Sequence, residues 1–326
     1  SGADLLVSTA GHAFTVDVLA TAAAGSIAVH AQKVSLAAKK LGRRAIPLIA
    51  VPFMSDAGRH ACEAARVSWF DLSGNGHIVA HGLRIIVQGH PNQFREPGRP
   101  ASVFTPRSAR VIRWLLMHPE QALTQREIAH ATQMTEGFVS RIVMRLEADN
   151  YVVRVDIPDK SGSHRRGKAP IRVRDASLLL DAWLDEYRFD KHSIIKGHVA
   201  ARSGDALTRF VGDTLNTTGI EHAATGLAAA WQYTHFASFR IATFFLGIDP
   251  SEDLKDRLGF REDVRGSNLW LVVPNDVGVF QEASEHNAVR CVHPVQAYLD
   301  LKGHPERASE AAERLQAEFM NWKHDA

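Results

Sequence analysis

Between Thr105 and Arg174 the chain strings together three short amphipathic helical patterns and two alternating strands, an order that few folds accept. Thr105-Pro106-Arg107 offers a capping hydroxyl and a proline suited to the first helical position. Val111, Ile112, Leu115 and Leu116 then recur on one apolar face, so a first helix is expected to run to Met117-His118-Pro119. Thr124 with Glu127 three residues on is the reciprocal capping pattern that starts a short second helix, with Ile128 and Ala129 turned inward. After Thr132-Gln133-Met134, a capped start at Thr135 opens a third helix in which Phe138, Val139, Ile142, Val143 and Leu146 keep the helical period. Two alternating stretches, Tyr151 to Asp156 and Ala169 to Arg174, flank the basic segment Lys160 to Lys168. Helix, helix, turn, helix and basic hairpin is the order of a winged helix-turn-helix.

The face of the third helix opposite its apolar stripe carries Glu136, Gly137, Ser140, Arg141 and Arg145, which are small, hydrogen-bonding or basic. Such a face suits a helix whose first turns meet base edges and phosphates in the DNA major groove. Thr135, Glu136, Ser140, Arg141 and Arg145 are therefore the expected groove contacts. Ser163, His164, Arg165, Arg166 and Lys168 are the expected contacts of the wing with flanking phosphates or the minor groove, adding affinity that falls steeply with salt. The alternative is a winged helix used only for protein contacts, and the charge of the wing argues against it. Leu123 to Asp156 resembles the MarR-like winged-helix pattern of bacterial regulators, in which Glu127-Ile128-Ala129 sits on the helix before the recognition helix. Modules of this kind bind double-stranded DNA as homodimers on inverted repeats with half-sites about one DNA turn apart.

A chain of 326 residues with 45% hydrophobic content is long enough for two or three domains, each with its own core. No run approaches the ~18 apolar residues of a membrane span, so no membrane partner is expected. Ser1-Gly2 reads as an expression remnant rather than part of a signal peptide, and the natural chain is expected to start upstream of residue 1. Cys62 and Cys291 are far apart and lack metal-ligand spacing, so a reducing cytoplasm is the simplest setting and each is expected to be a small packed residue. The net charge of +2 conceals a segregation. Residues 1 to 104 hold ten Lys or Arg against six Asp or Glu, residues 105 to 175 thirteen against eight, and residues 176 to 326 fifteen against twenty-two. The positive field belongs to the first two segments, as expected if those lie near DNA.

The first segment alternates strand and helix signals. Strands are expected at Phe14 to Ala20, Ser26 to His30, Ala45 to Pro52, Ser68 to Leu72 and Leu83 to Val87, with helices at Val34 to Leu41 and Ser55 to Arg66. Ile46 to Gly89, with Phe70-Asp71-Leu72-Ser73-Gly74-Asn75, resembles the restriction-endonuclease-like PD-(D/E)xK domains fused to some bacterial regulators. In active members a strand acid and an acid-x-lysine on the next strand hold a divalent metal. Asp17 stands where the first acid would be, but the corresponding triplet would be His30-Ala31-Gln32, with neither carboxylate nor lysine. The resemblance thus implies a degenerate, inactive nuclease fold. Asp71, beside Ser73-Gly74-Asn75, reads as a turn-former bonding nearby amides. The alternative is a metal-dependent nuclease in which Asp17 and Asp71 cooperate. Pro91 to Pro100, rich in proline and charge, is the best linker.

From Ser177 helices are expected at Leu178 to Arg188, Gly204 to Asn216, His222 to Ala230 and Pro305 to Trp322, with strands at Leu269 to Pro274 and Ala288 to Val292, an α+β pattern. Leu271-Val272-Val273-Pro274, Val295 to Leu301 and Glu310 to Leu315 resemble the carboxy-terminal domain of AbiEi-type transcriptional regulators, the antitoxins of type IV toxin-antitoxin systems. In that family the winged helix usually comes first, whereas here it follows an extra domain, so DNA binding and repression carry over better than toxin neutralisation. The implied toxin partner is a nucleotidyltransferase. The chain itself lacks that chemistry, since Gly266-Ser267 is followed by no pair of aspartates. His222, His235 and His293 read as packed histidines rather than a metal triad. Trp231, Tyr233, Phe236, Phe239, Phe244 and Phe245 read as core, with a pocket lining as the alternative.

The expected architecture is multidomain, α/β plus α+β: a degenerate nuclease-like α/β domain over 1–100, a winged helix-turn-helix over 101–175, and an AbiEi-like α+β domain over 176–326. The expected function is sequence-specific transcriptional regulation, as a repressor with an antitoxin-like character, without a cofactor, a bound metal or catalysis. The alternatives are the nuclease and a toxin-neutralising interaction protein.

Overall fold

The computed structural model describes residues 3–9, 11–41, 45–94, 102–155, 169–263 and 265–322. Along the chain come β1 (Leu5–Thr9), β2 (His12–Val18), α1 (Ala24–Leu41), β3 (Ala45–Val51), α2 (Asp56–Ala64), β4 (Ser68–Asp71), β5 (Gly76–Ala80) and β6 (Leu83–Val87). The middle segment adds α3 (Pro106–Met117), α4 (Gln125–Thr132), α5 (Glu136–Ala148), β7 (Val152–Arg154) and β8 (Ile171–Val173). Then follow α6 (Ala176–Glu186), β9 (Ser193–His198), α7 (Gly204–Asn216), β10 (His222–Thr225), α8 (Gly226–Thr234), β11 (Ala242–Leu246), α9 (Glu252–Leu258), β12 (Arg261–Glu262), β13 (Leu269–Val273), β14 (Ser284–His286), β15 (Val289–Cys291), α10 (Pro294–Leu301) and α11 (Ala308–Phe319). Mixed helix and sheet is thus the observed class. The chain divides into two compact units, one of residues 1–103, 120–125 and 140–186, the other of 104–119, 126–139 and 187–326.

In the first unit a six-stranded sheet runs in the order β1-β2-β3-β4-β5-β6. Its centre, β2-β3-β4, is parallel, and the flanking pairs are antiparallel. Parallel neighbours need crossover helices, which α1 and α2 supply. One core joins Ile27, Ala31 and Val34 of α1 to Ile49, Val51, Met54, Cys62 and Trp69, and a smaller one on the sheet gathers Phe14, Val16, Leu48 and Ala50. Ser55 caps α2 by accepting from the Gly58 amide at 3.1 Å.

The expected strand Ser26 to His30 is instead the start of α1. Five residues cannot separate the two periods, but the buried positions Ala24, Ile27, Ala31, Val34 and Ala38 follow helical spacing over eighteen residues. That correction removes the basis for aligning His30-Ala31-Gln32 with a strand triplet. Helix α6, read as the opening of the last segment, packs in this unit on α1 and α2. Its Asp185 carboxylate accepts from the Ala57 amide at 2.9 Å, satisfying an amide of the first turn of α2.

The second unit is built on a mixed seven-stranded sheet, β12-β9-β13-β11-β10-β15-β14. Strands β10 and β11 are buried at every position. The expected helix His222 to Ala230 is a strand for its first four residues, turning into α8 at Gly226, which has a positive φ of 56°. An apolar run without a polar face carries no period, so the sequence could not place that boundary. Phe244 and Phe245 are fully buried and Phe239 nearly so, while Trp231, Tyr233 and Phe236 are half-buried. Half of the aromatic cluster is therefore core, and the other half is partly exposed. His222 is buried with Nδ1 on the Ile220 carbonyl at 2.8 Å, and Nδ1 of His293 accepts from the Val295 amide at the start of α10. His235 ends α8 in the left-handed region against the Trp231 ring, so the three histidines have separate packing roles.

Helix α3 belongs to this second unit. Arg110 makes a bidentate pair with Asp276 at 2.6 and 2.8 Å. Arg113, only 3% exposed, donates from Nε and Nη2 to the Gln296 side-chain oxygen at 2.9 and 2.7 Å. Gln296 in turn donates to Asp300 at 2.8 Å and to the Tyr187 hydroxyl at 3.1 Å, and Asp300 also accepts from Thr225 and Tyr187. Burial pushes the Asp300 carboxyl up to about 7, against the pull of its hydrogen-bond donors and of Arg113. Burial, followed by the nearby Arg113 charge, lowers the His192 imidazole to about 4, in keeping with its Nδ1 accepting from the Asn275 amide.

Candidate nucleic-acid interface

Pro106 opens α3 as expected, but the Thr105 hydroxyl bonds the Ser108 hydroxyl at 3.1 Å rather than a backbone amide. The expected apolar face of α3, Val111, Ile112, Leu115 and Leu116, is buried. Helix α4 buries Ile128, Ala129 and Thr132 and closes by a tight turn in which Gln133, at φ 54°, takes the left-handed conformation while the Met134 amide donates to the Ala129 carbonyl at 2.9 Å. Three residues separate α4 from α5, the short connection of a helix-turn-helix. The Arg107 guanidinium lies 5.0 Å from the centroid of the Phe138 ring, near the start of α5.

The Thr135 hydroxyl caps α5, accepting from the Phe138 amide at 3.3 Å, so this candidate contact is also a structural cap. On α5 the buried residues are Val139, Ile142, Val143 and Leu146, in agreement with the helical period, while Phe138 is half-buried. Glu136, Gly137 and Arg141 are exposed and Ser140 is half-buried. Met144, 53% exposed and one turn beyond Ser140 and Arg141, lies on the same side and was not singled out from the sequence. An exposed methionine on an amphipathic helix is its only sequence signal. Arg145 is tied back to Asp149 at 2.8 Å, an i,i+4 pair that draws its guanidinium along the helix. Of the five candidates on or capping this helix, Thr135, Glu136 and Arg141 are exposed, and Ser140 and Arg145 half-buried.

The wing begins and ends as expected. Strands β7 and β8 pair antiparallel, Val152 opposite Val173 and Arg154 opposite Ile171, and Leu123 adds a bridge to Ile171 with both hydrogen bonds at 2.8 Å. Arg154 clasps Glu147 with Nε at 2.9 Å from one oxygen and Nη2 at 2.9 Å from the other. Ser163, His164, Arg165, Arg166 and Lys168 lie outside the described residues.

The acids of the first unit have partners of their own. Asp17 on β2 is shielded from solvent and takes Nδ1 of His30 at 2.9 Å, Nζ of Lys33 at 3.1 Å and the Asp4 amide at 3.2 Å. Burial pushes its carboxyl up, but those hydrogen bonds outweigh it and hold the group below its ordinary value. Asp71 accepts from the Asn75 amide at 2.9 Å, the Asn75 side chain at 3.0 Å and the Met54 amide at 3.1 Å, the turn-forming role read from Ser73-Gly74-Asn75. Among the described residues no group of three His, Cys, Asp or Glu could hold a metal. No helix among them is long and apolar enough to cross a membrane.

A sequence model of the MarR family matches residues 104–161, from just before α3 into the wing. No curated protein and no solved structure matches the chain. This part of the chain is a MarR-like winged-helix region.

Proposed function

We propose that the protein is a sequence-specific, DNA-binding transcriptional regulator, a repressor that sits as a homodimer on an inverted-repeat operator in the cytoplasm. The observation that carries this reading is the solvent face of α5, Glu136, Gly137, Ser140, Arg141 and Met144, presented by a capped helix inside a MarR-like segment. Thirteen residues give a helix about 20 Å long, enough to lie in a major groove about 12 Å wide. Ser140 and Glu136 would read base edges, Arg141 a guanine or a phosphate, and Met144 the methyl of a thymine. Arg165, Arg166 and Lys168, with Ser163 and His164, would meet flanking phosphates. The role is one of binding rather than catalysis, which fits the structural partners of Asp17 and Asp71. The nuclease-like and AbiEi-type resemblances, and the toxin partner that the latter implies, rest on short sequence motifs alone.

Selection from randomised duplex DNA tests the reading. Sequencing of the retained pool should show an enriched inverted repeat with half-site centres about 10 base pairs, or a multiple, apart. A retained pool as random as the input would sink the proposal.

A further inference from the structure

Strand β1 lies at one end of the six-stranded sheet, and among the described residues nothing pairs with its outer side. Its sequence, Leu5-Leu6-Val7-Ser8-Thr9, has no charge and no proline, and every residue of it is exposed. Edge strands usually carry a lysine, a proline or a bulge that stops further pairing. The backbone groups that β1 offers follow from its register. Two residues join it to β2, so Thr9 and His12 on either side of them exchange hydrogen bonds, and the alternation of an antiparallel pair gives Val7 and Leu5 the same bonds to Phe14 and Val16. The N–H and C=O groups of Leu6 and Ser8 therefore point away from the sheet. Leu6, opposite Thr15, shares the face of Asp17, on which α1 packs. There a groove of about 300 Å³ lies beside it, lined by Leu6 with Ala37, Lys40 and Leu41 of α1. Leu6 and Leu41 are 61% and 59% exposed.

We propose that β1 is the surface by which two copies of this chain join, pairing antiparallel with itself across a twofold axis at Leu6. The inference rests on the homodimer of the regulator reading, and it places the seam on residues outside the MarR-like segment 104–161. Three features select a second copy. An antiparallel ladder about a twofold axis is self-complementary, so each strand satisfies the outward groups of the other. With the axis at Leu6, that residue opposes itself and Leu5 opposes Val7 of the other copy, apolar against apolar, whereas an axis at Val7 would set Leu6 against Ser8. The charges agree as well. Asp4, whose carboxylate lies on the α1 face 3.9 Å from Lys33, falls opposite Ser8 of the other copy, on the side of the seam where Lys40 stands, and no like charges meet along the strands. The strand and the groove side chains of α1 are far fewer than the ~20–30 residues a side of a standard interface, so the dimer is a weak one, with a Kd on the order of 10 µM.

Sedimentation velocity of the full chain without DNA, from about 1 to about 100 µM, tests the seam. The wild type should pass from monomer to dimer over that range. Leu6→Lys sets like charges face to face at the axis and should weaken the dimer at least tenfold, while the melting temperature at the lowest concentration stays within about 1 °C of wild type because the side chain is exposed. Leu6→Cys gives a second readout. Residues paired in this way have Cα atoms ~5.5 Å apart, within the span of a disulfide, so oxidation by diamide should link two copies. Cys62 and Cys291 are buried and do not compete. Leu72→Cys, on the turn after β4 and 59% exposed, should stay unlinked. A wild type that remains monomeric throughout the range overturns the seam and the homodimer with it, and leaves DNA binding to the selection experiment above. A Leu6→Lys protein that dimerises as the wild type does places the contact elsewhere and overturns the seam alone, as does a Leu6→Cys protein that links no more than Leu72→Cys.

Discussion

Arg113→Ala is expected to lower the stability of the second unit by about 3–5 kcal/mol, the combined cost of the void left by a large buried side chain and of a buried acceptor left without its donors. The guanidinium is 3% exposed, and burial, partly offset by Tyr187, Asp276 and Asp300, lowers it only to about 10, so it stays charged at neutral pH. Truncation strips the Gln296 side-chain oxygen of both its donors in a place water does not reach, and opens a void beneath α3. Arg113→Met tests the two contributions apart. It fills most of the volume but leaves Gln296 unsatisfied, and should fall between wild type and alanine. Urea unfolding, followed by amide exchange in residues 187–322, is the measurement, and an alanine variant within about 1 kcal/mol of wild type would contradict the assignment of this network.

Gly25→Ala should cost the first unit about 3 kcal/mol, an effect out of proportion to one added methyl group. A Cβ at Gly25 would stand 2.4 Å from the Asp149 carbonyl oxygen and 3.0 Å from the Asn150 carbonyl carbon, both backbone atoms that no rotamer change can move. Relieving the clash means drawing the start of α1 away from the end of α5. That withdrawal would break the Ala24 amide from the buried Tyr151 hydroxyl, 3.1 Å, and the Asn150 side chain from Ser26, also 3.1 Å. The melting transition of the first unit should drop by several degrees. A transition unchanged within a degree would show that α1 does not seat on this turn as described.

What could be read from the sequence followed from local pattern. Helix α7 lies over the expected residues Gly204 to Asn216, and the start of α5 was announced by Thr135 and by the period of Val139, Ile142, Val143 and Leu146. The wing strands are legible from alternation and from the basic segment between them in the sequence. Where periodicity fails, the sequence does not decide between strand and helix. Ser26 to His30 is too short a window to tell strand from helix, and the apolar run from His222 to Ala230 conceals the point where β10 becomes α8. Helix α3 shows a different limit. Its apolar face was plain, yet Arg113, a charge among core positions, owes its place to Gln296, 183 residues away along the chain. No local pattern announces such a partner. The same holds for Asp17, whose role is set by His30 and Lys33 arriving from a helix that the sequence suggested was partly a strand.

The most direct test of the central claim is the affinity of wild type and Arg141→Ala for the selected duplex, measured over a range of salt concentrations. If α5 lies in the major groove and the wing on phosphates, wild-type affinity should fall steeply and linearly on a log–log plot of binding constant against salt. Arg141→Ala should then bind about 1–3 kcal/mol more weakly at every salt concentration, with preference relaxed at one position of each half-site if Arg141 reads a base, or the slope reduced by about one if it holds a phosphate. Equal binding by the two proteins, or affinity indifferent to salt, would contradict the account.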